Sequence, residues 1–600
     1  MKRAILMLFF LAINIPVARS DGFEKVFSAN GTDVWAVGIG GNVFRSFDGG
    51  ATWGSYPLGT VTLRDVRVVG SSIWIVGDGG ICYRSTNNGE SFSNQTLGGG
   101  ANLYTVVFTS ATKGLIGGTG GLLLRTTDGG SSWTTLSPPT PNRIHCLAFS
   151  DSLNGWLSGA NGTLMKTTDA GQSWTLSGAG ITRDLYSVSF SGATVYATGS
   201  DATVAKSTNS GSSWLKIDFK MDTRSDVNKV TIIPGGNVFF GGGGGFIRKS
   251  TDGAASFSFP LHPLLGELSD IFFFDNAKGW ACSRKNNAII RTTDGGTTWT
   301  LPTGTSIAYA WQSKLSVSAT VRGDAISINP VDKNILYCGL GTKVYVSYNR
   351  GDTWVQTATL PATGTKINSF YVSPKDSNLW VAAYGAPDKI IRSTDHGATW
   401  TTTITKNFSE YGMPLEMDGS HPDTLFFGPE DGTLYRSVNF GATWDSISHP
   451  AFRSPCDIVV VRDDPSVIWV GDGVTGSGLG QIFRSTNGGL TFTLIFTTTG
   501  SEIPTISSSA IDNTIGYATT WSSGGVQKTA NVGAAWSSVA TTGSAWGTDI
   551  AKDDPNVMVY GVYSGSLGYL STNAGTSFST AALTGSNYAL YAYDRGTYIA

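Results

Sequence analysis

Charged side chains are scarce in this chain. Asp, Glu, Lys and Arg make up 14% of its 600 residues, against roughly 25% in an average globular protein. The formal net charge is -2 and no basic run occurs, which removes the electrostatic case for nucleic acid as a partner. Long apolar runs are missing too. No stretch beyond the N-terminus reaches 18 apolar residues, so no membrane-spanning helix is expected. The five cysteines, Cys82, Cys146, Cys282, Cys338 and Cys456, are odd in number, far apart and without a Cys-x-x-Cys pair. That argues against a disulfide framework and for small buried side chains. The five histidines are scattered, and no Cys or His spacing fits zinc. Gly241 to Gly245 is a glycine run without the Gly-Lys-Ser/Thr string of a phosphate loop. No metal and no cofactor is expected.

Glycine is abundant, 78 residues, alongside much Ser, Thr, Val and Trp, a composition suited to short strands and tight turns. One turn motif recurs thirteen times, first as Arg45-Ser46-Phe47-Asp48-Gly49-Gly50-Ala51-Thr52-Trp53. Its Asp/Asn position is Asp48, Asn87, Asp128, Asp169, Asn209, Asp252, Asp294, Asn349, Asp395, Asn439, Asn487, Asn531 and Asn573. From Asp48 to Asn573 is 525 residues in 12 intervals, a period of about 44 that marks a repeat architecture. Seven of the thirteen positions are Asn. A general acid, nucleophile or metal ligand could not alternate in this way, whereas an acceptor for backbone N–H groups can. The closing aromatic offers a face for packing between repeats. A basic residue three positions before the motif recurs in eleven copies, among them Arg45, Lys206 and Arg392, and reads as a packing position.

Within one repeat, residues 101–137 hold four short strand-like segments and no helical periodicity. The pattern predicts an all-β chain of two tandem seven-bladed β-propellers, with four-stranded antiparallel blades. Lys2 and Arg3, the apolar run Ala4 to Val17 and the small-x-small string Ala18-Arg19-Ser20 predict a signal peptide over 1–20. The first propeller is expected over 21–305. The second, over 306–600, has six motif-bearing blades and a last blade completed by 306–320. An exported protein is expected, periplasmic, extracellular or on the cell surface.

The motif resembles the Asp-box, or bacterial neuraminidase repeat. Sialidases, sortilin-type receptors, two-propeller xyloglucanases and propellers like photosystem II assembly factors carry it. The Gly-rich turns of the first half, such as Gly38-Ile39-Gly40-Gly41 and Gly77-Asp78-Gly79-Gly80, resemble the last of these. The second half, with turns such as Asp463-Asp464-Pro465-Ser466, is similar to the sortilin and xyloglucanase type. These families do unrelated things, so the likeness implies a fold more than a function. Sialidase chemistry is not expected, because the nearest string to its Arg-Ile-Pro motif is Arg143-Ile144-His145. The main expectation is a non-enzymatic scaffold, monomeric, that binds a protein or polysaccharide ligand. The alternative is a secreted glycoside hydrolase resembling xyloglucanases, inverting, with two aspartates ~6.5–9.5 Å apart. That family's Asp-Val-Gly-Gly-type stretch has no recognisable match here, so no catalytic residue carries over.

Candidate site residues lie where polar side chains fall out of step with the scaffold, at the start of each repeat. Arg64, Arg67, Arg183 and Arg224 are candidate ligand contacts. Asp65, Asp184, Asp324 and Asp457 are the aspartates to test for acid–base work. In the second half Tyr384, Trp521, Trp546 and Tyr563 are aromatics that could stack on a sugar or anchor a partner.

Overall fold

The computed structural model describes residues 22–178, 180–220, 225–264, 266–285, 288–303, 314–315, 326–329, 332, 334–408, 412–448, 452–474, 477–541, 543–583 and 590–599. The signal segment, Asp324, Arg224 and, apart from Lys314 and Leu315, the 306–320 stretch lie outside them. The described regular structure is strand throughout, with only three-residue 3-10 turns between. Two compact units divide between Ile307 and Ala308, with 220–224 grouped with the second.

Each repeat folds as an antiparallel meander, numbered here as sheets in chain order. In the first unit the leading strands begin at Phe23, Leu63, Leu103, Ile144, Leu185, Lys229 and Leu268. In the second unit they begin at Ile326, Lys366, Leu415, Pro455, Ile506, Ala545 and Tyr591. The expected pair of seven-bladed β-propellers with uniformly four-stranded blades is corrected by these sheets. They are separate and open, and none closes on itself. Sheets 6 and 7 have three strands and sheet 14 has two. Proline explains two of these departures. Where sheets 6 and 7 would add a fourth strand, only single bridges form, Lys249 with Ser258 and Arg291 with Thr300. Pro260 and Pro302 follow two residues later, and proline has no N–H to continue a ladder.

The core lies between sheets. Trp35, Val37, Leu63, Val66 and Ile75 join sheets 1 and 2, and Trp74, Val76, Leu103, Val106 and Ile116 join sheets 2 and 3. Phe23, Val26 and Val34 of sheet 1 pack in the same way on Trp280 and Cys282 of sheet 7. In the second unit each described sheet likewise shares a core with the next, as Trp469, Ile482, Ile506 and Ala518 do for sheets 11 and 12.

Twelve of the thirteen motif turns form one hydrogen-bond pattern, and the Asn531 turn, with Ala535 at the hydroxyl position, keeps all of it but the hydroxyl bond. At Asp169 the Thr167 hydroxyl donates to Oδ1 at 2.8 Å, and the Gly171 N–H donates to that hydroxyl at 3.0 Å. The Ser173 N–H donates to Oδ1 at 2.9 Å and the Ser173 hydroxyl to Oδ2 at 2.5 Å. At Asn209 the Ser213 N–H still donates to Oδ1, but Nδ2 now donates to the Ser213 hydroxyl at 2.8 Å. A hydroxyl can donate or accept, so it adapts to either residue and Asp and Asn become interchangeable.

The turn also ties its sheet to the preceding one. Arg45 of sheet 1 donates to the Asn88 carbonyl at 2.6 Å. Lys206, Lys249, Arg392, Arg484 and Lys528 reach the carbonyl at the same place in the next turn, those of Gly253, Gly295, Phe440, Val532 and Ala574. Gly130, at φ 74°, lies under the Trp74 ring of the preceding sheet, where a Cβ would come within 2.1 Å of it.

These bonds predict a graded response at Asp169. Asp169→Asn should leave the melting temperature nearly unchanged, because Ser173 can turn its hydroxyl round. Asp169→Ala strands the Ser173 N–H and should cost about 1–2 kcal/mol in a denaturant titration. Equal losses in the two variants would contradict this account.

Candidate functional site

In the first unit a cavity of about 670 Å³ is lined by the leading strands of all seven sheets. Its walls are polar because six of the seven strands carry a β-bulge at the same place. The ladder shifts register between Phe23 and Lys25, Leu63 and Asp65, Leu103 and Thr105, Ile144 and Cys146, Leu185 and Ser187, and Leu268 and Asp270. A bulge turns two consecutive side chains to one side. The extra residue, Glu24, Arg64, Tyr104, His145, Tyr186 or Ser269, therefore lines the cavity together with the residue that follows it.

The inner layer latches the sheets together. Asp65 Oδ1 accepts the Val66 N–H and Oδ2 the Val106 N–H of sheet 3, both at 2.9 Å. Thr105 Oγ1 accepts Leu147 N–H of sheet 4, Ser187 Oγ accepts Val230 N–H of sheet 6, and Asp270 Oδ2 accepts Val26 N–H of sheet 1. In the second unit Asp457 accepts the N–H groups of Ile458 and Ile506 at 2.8 and 2.6 Å, and Asp549 that of Ala592 at 3.0 Å. Two half-buried lysines stand among these groups. Lys25 lies 3.4 Å from Asp270 and 4.0 Å from Asp65, and Lys229 lies 3.0 Å from Asp270. Burial pulls the Lys25 ammonium down, but Asp270 and Asp65 outweigh it and leave its pKa raised. For Lys229 burial wins and the pKa is lowered. Burial would raise the Asp270 carboxyl, but Lys229 and Lys25 hold it below the ordinary range.

The outer layer mixes charge and aromatic faces. The Arg284 guanidinium bridges Glu24 and Glu267. Arg64 pairs with Asp78 at 2.9 Å and Glu24 at 3.5 Å. The guanidinium carbons of Arg64 and Arg143 lie 5.4 and 5.1 Å from the Tyr104 ring. His145 meets Tyr104 and Tyr186 edge to face, with centroids 5.8 and 5.3 Å apart. Burial, followed by Arg143 and Arg64, pushes the His145 imidazole down to about 4, although Asp184 pulls the other way.

The sequence candidates divide unevenly over this geometry. Arg64, Asp65 and Arg67 come together in the cavity, with Arg67 3.4 Å from Asp65. Arg183 pairs outside with Asp201 at 2.8 Å. Asp184 accepts the Asn161 N–H at 2.8 Å. Tyr384 and Trp546 are buried, Tyr384 donating to the Pro361 carbonyl at 2.6 Å. Trp521, Trp546 and Tyr563 form one aromatic cluster, with Tyr563 5.9 and 5.3 Å from the two indoles. Sequence reasoning missed Lys25, Tyr104, Tyr186 and Lys229. Their signal was readable, since each first-unit repeat places such residues just before the central apolar residue of its leading strand, as in Lys25-Val26 and Lys229-Val230.

Comparison with known proteins separates the two halves. Residues 126–260 match the family model described as photosynthesis system II assembly factor YCF48. Residues 342–472 match the one described as sortilin, neurotensin receptor 3. A xyloglucanase of Paenibacillus sp. is 27% identical over 251 residues, 36% of this chain and 24% of that protein. A xyloglucanase of Hypocrea jecorina is 26% identical over 226 residues, 32% of this chain and 25% of that protein. The matches thus span about a quarter of the length of these curated relatives. Among solved structures, YCF48 from Cyanidioschyzon merolae is 18% identical with a TM-score of 0.41, over 46% of this chain and 97% of that one. The GH74 xyloglucanase from Xanthomonas campestris is 14% identical with a TM-score of 0.39, over 92% and 97%. The chain therefore carries a YCF48-like region followed by a sortilin-like region. The expectation of a purely non-enzymatic scaffold is set aside, because the curated relatives are enzymes. No described helix is long and apolar enough to cross a membrane.

Two measurements test the cavity. Asp65→Ala leaves the Val106 N–H and the Arg67 cation without their acceptor, while Lys25 keeps Asp270, and should cost about 3–5 kcal/mol in chemical denaturation. His145 binds its proton less readily folded than unfolded. The stability this gives is complete above the unfolded pKa of 6.5 and is lost as pH falls toward about 4. His145→Gln should flatten that part of the pH dependence of Tm. An unchanged slope would show that His145 is not the group responsible.

Proposed function

We propose that the protein is a secreted glycoside hydrolase acting on a xyloglucan-type polysaccharide. The observation that carries this reading is that four curated proteins match the chain at 26 to 27% identity and each is named a xyloglucanase. The apolar N-terminal segment ending at Ala18-Arg19-Ser20 supports export to where such a polymer is met.

Inverting hydrolysis needs a carboxylic acid and a carboxylate with room for a water between them. Asp65 and Asp457 each engage both carboxyl oxygens with backbone N–H groups, which suits holding sheets rather than moving protons. Asp184 is half-buried and accepts one backbone bond, so among the described sequence candidates it has the least committed carboxyl.

The test is incubation of folded full-length protein with xyloglucan, cellulose and other polysaccharides, with products separated by chromatography. Oligosaccharides released from xyloglucan are expected, with an Asp184→Asn variant at least about 100-fold slower at unchanged Tm. Release unaffected by that exchange would place the acid–base pair elsewhere. No release from protein shown to be folded would overturn the hydrolase reading.

A further inference from the structure

The first-unit cavity has one arc of wall unlike the rest. Sheets 2, 3 and 4 contribute Arg64, Tyr104, Arg143 and His145 to it, and no carboxylate comes from sheet 3 or sheet 4. Arg64 already has Asp78 and Glu24. Arg143 has no acidic partner among the described residues, and its guanidinium rests on the Tyr104 face. Beside it, His145 Nε2 is buried with no hydrogen-bond partner. A buried polar atom left unmade costs free energy that a bound group can recover. Two independent features, an unneutralised guanidinium and an unsatisfied imidazole nitrogen, thus converge on one spot in a cavity.

The groups next along the wall are of another kind. The Tyr186 hydroxyl donates to Asp226 at 3.3 Å, and the Asn228 amide donates to Glu267 at 3.2 Å. Such pairs present donors and acceptors together, as a polyhydroxylated ligand requires. An extended peptide would instead use strand edges. Here the central N–H on four of those edges, of Val106, Leu147, Val230 and Val26, is already taken by Asp65, Thr105, Ser187 and Asp270.

We propose that this cavity binds a sugar acid, its carboxylate on Arg143 and His145 beside Arg64, and its hydroxyls toward Tyr186, Asp226 and Asn228. The site belongs to the first unit alone. It does not depend on the hydrolase reading and is read by binding, not by turnover.

A bound carboxylate also acts on the imidazole. In the free protein burial, with Arg143 and Arg64, disfavours the charged form of His145, while Asp184 opposes them. The rings of Tyr104 and Tyr186 face it edge to face, and burial raises the Tyr186 hydroxyl above its ordinary range. An anion beside the ring favours the imidazolium, so the ligand should raise the pKa of His145.

The experiment is calorimetric titration of folded full-length protein with galacturonate, galactose and acetate. NMR follows the histidine ring protons in parallel, with His145 assigned through His145→Gln. One galacturonate should bind per chain, with galactose and acetate each at least about tenfold weaker, which is ~1.4 kcal/mol. Arg143→Ala, an exposed position, should weaken galacturonate by a similar factor at unchanged Tm, and the His145 signal should titrate at higher pH with ligand present. Acetate binding as well as galacturonate would overturn the sugar requirement, and galactose binding as well would overturn the charge requirement. Galacturonate binding unaffected by Arg143→Ala, or absent altogether, would overturn the site.

Discussion

Among the described residues no β-ladder runs from one sheet of this protein to the next, and the leading strand of each sheet is an edge. An edge strand presents N–H groups that must find partners. In the first unit those edges face the cavity. The structure meets this constraint with a side chain placed one residue before the central apolar position. Asp65, Thr105, Ser187 and Asp270 each accept an N–H from the neighbouring sheet, and Asp457 and Asp549 repeat the device in the second unit. Apolar packing between sheets supplies the larger energy but is non-directional. The latch supplies register, since a slip of one residue would put the acceptor on the wrong face.

Six of the junctions have a second tie of different chemistry at the motif turn. There the motif turn shows a carbonyl to the preceding sheet, and an Arg or Lys of that sheet fills it while lying over a large aromatic, as Arg45 does over Trp35 at 4.4 Å. Both ties are single side chains reaching from one repeat to the next. A chain with so few charges can still order many sheets this way, because the charges it has fall at junctions. The low charge content and the high content of Gly and Trp are therefore parts of one design. Glycine lets the turn approach the indole, as Gly130 does Trp74.

Much of this was legible in the sequence. The turn motif, its indifference to Asp or Asn, and the packing role of the basic residue before it follow from repetition, and repetition survives in a single sequence. The leading-strand starts, such as Phe23, Leu63, Leu103 and Leu268, fall where the spacing puts them. The strand count in sheets 6 and 7 was misjudged because the motif period continued through them. The local breaks, Pro260 and Pro302, act on one strand and leave the period intact. The cavity was harder to read. Arg64, Asp65 and Arg67 stood out as charges, but Tyr104 and Tyr186 look like ordinary strand aromatics until the bulge turns them inward. Tyr384 and Trp546 err in the opposite direction, since an aromatic near a long connection looks exposed and both are buried.

The latch position needs only an acceptor, and this leaves some repeats free to depart from it. Cys146, Lys229 and Lys25 occupy it in sheets 4, 6 and 1, and a lysine cannot accept a hydrogen bond. The two lysines are held instead by Asp270 and Asp65, so the inner layer is closed to outside charge. The layer just above it is under no such obligation. Its residues are the extra ones of the bulges, which pair with no ladder partner. There Tyr104 and His145 can differ from repeat to repeat without loosening a junction, whereas Glu24 is tied by ion pairs to Arg64 and Arg284 of the neighbouring repeats. Any chemical selectivity in the first unit has to be written in that layer, and Arg143 beside His145 is where its charge is left unbalanced.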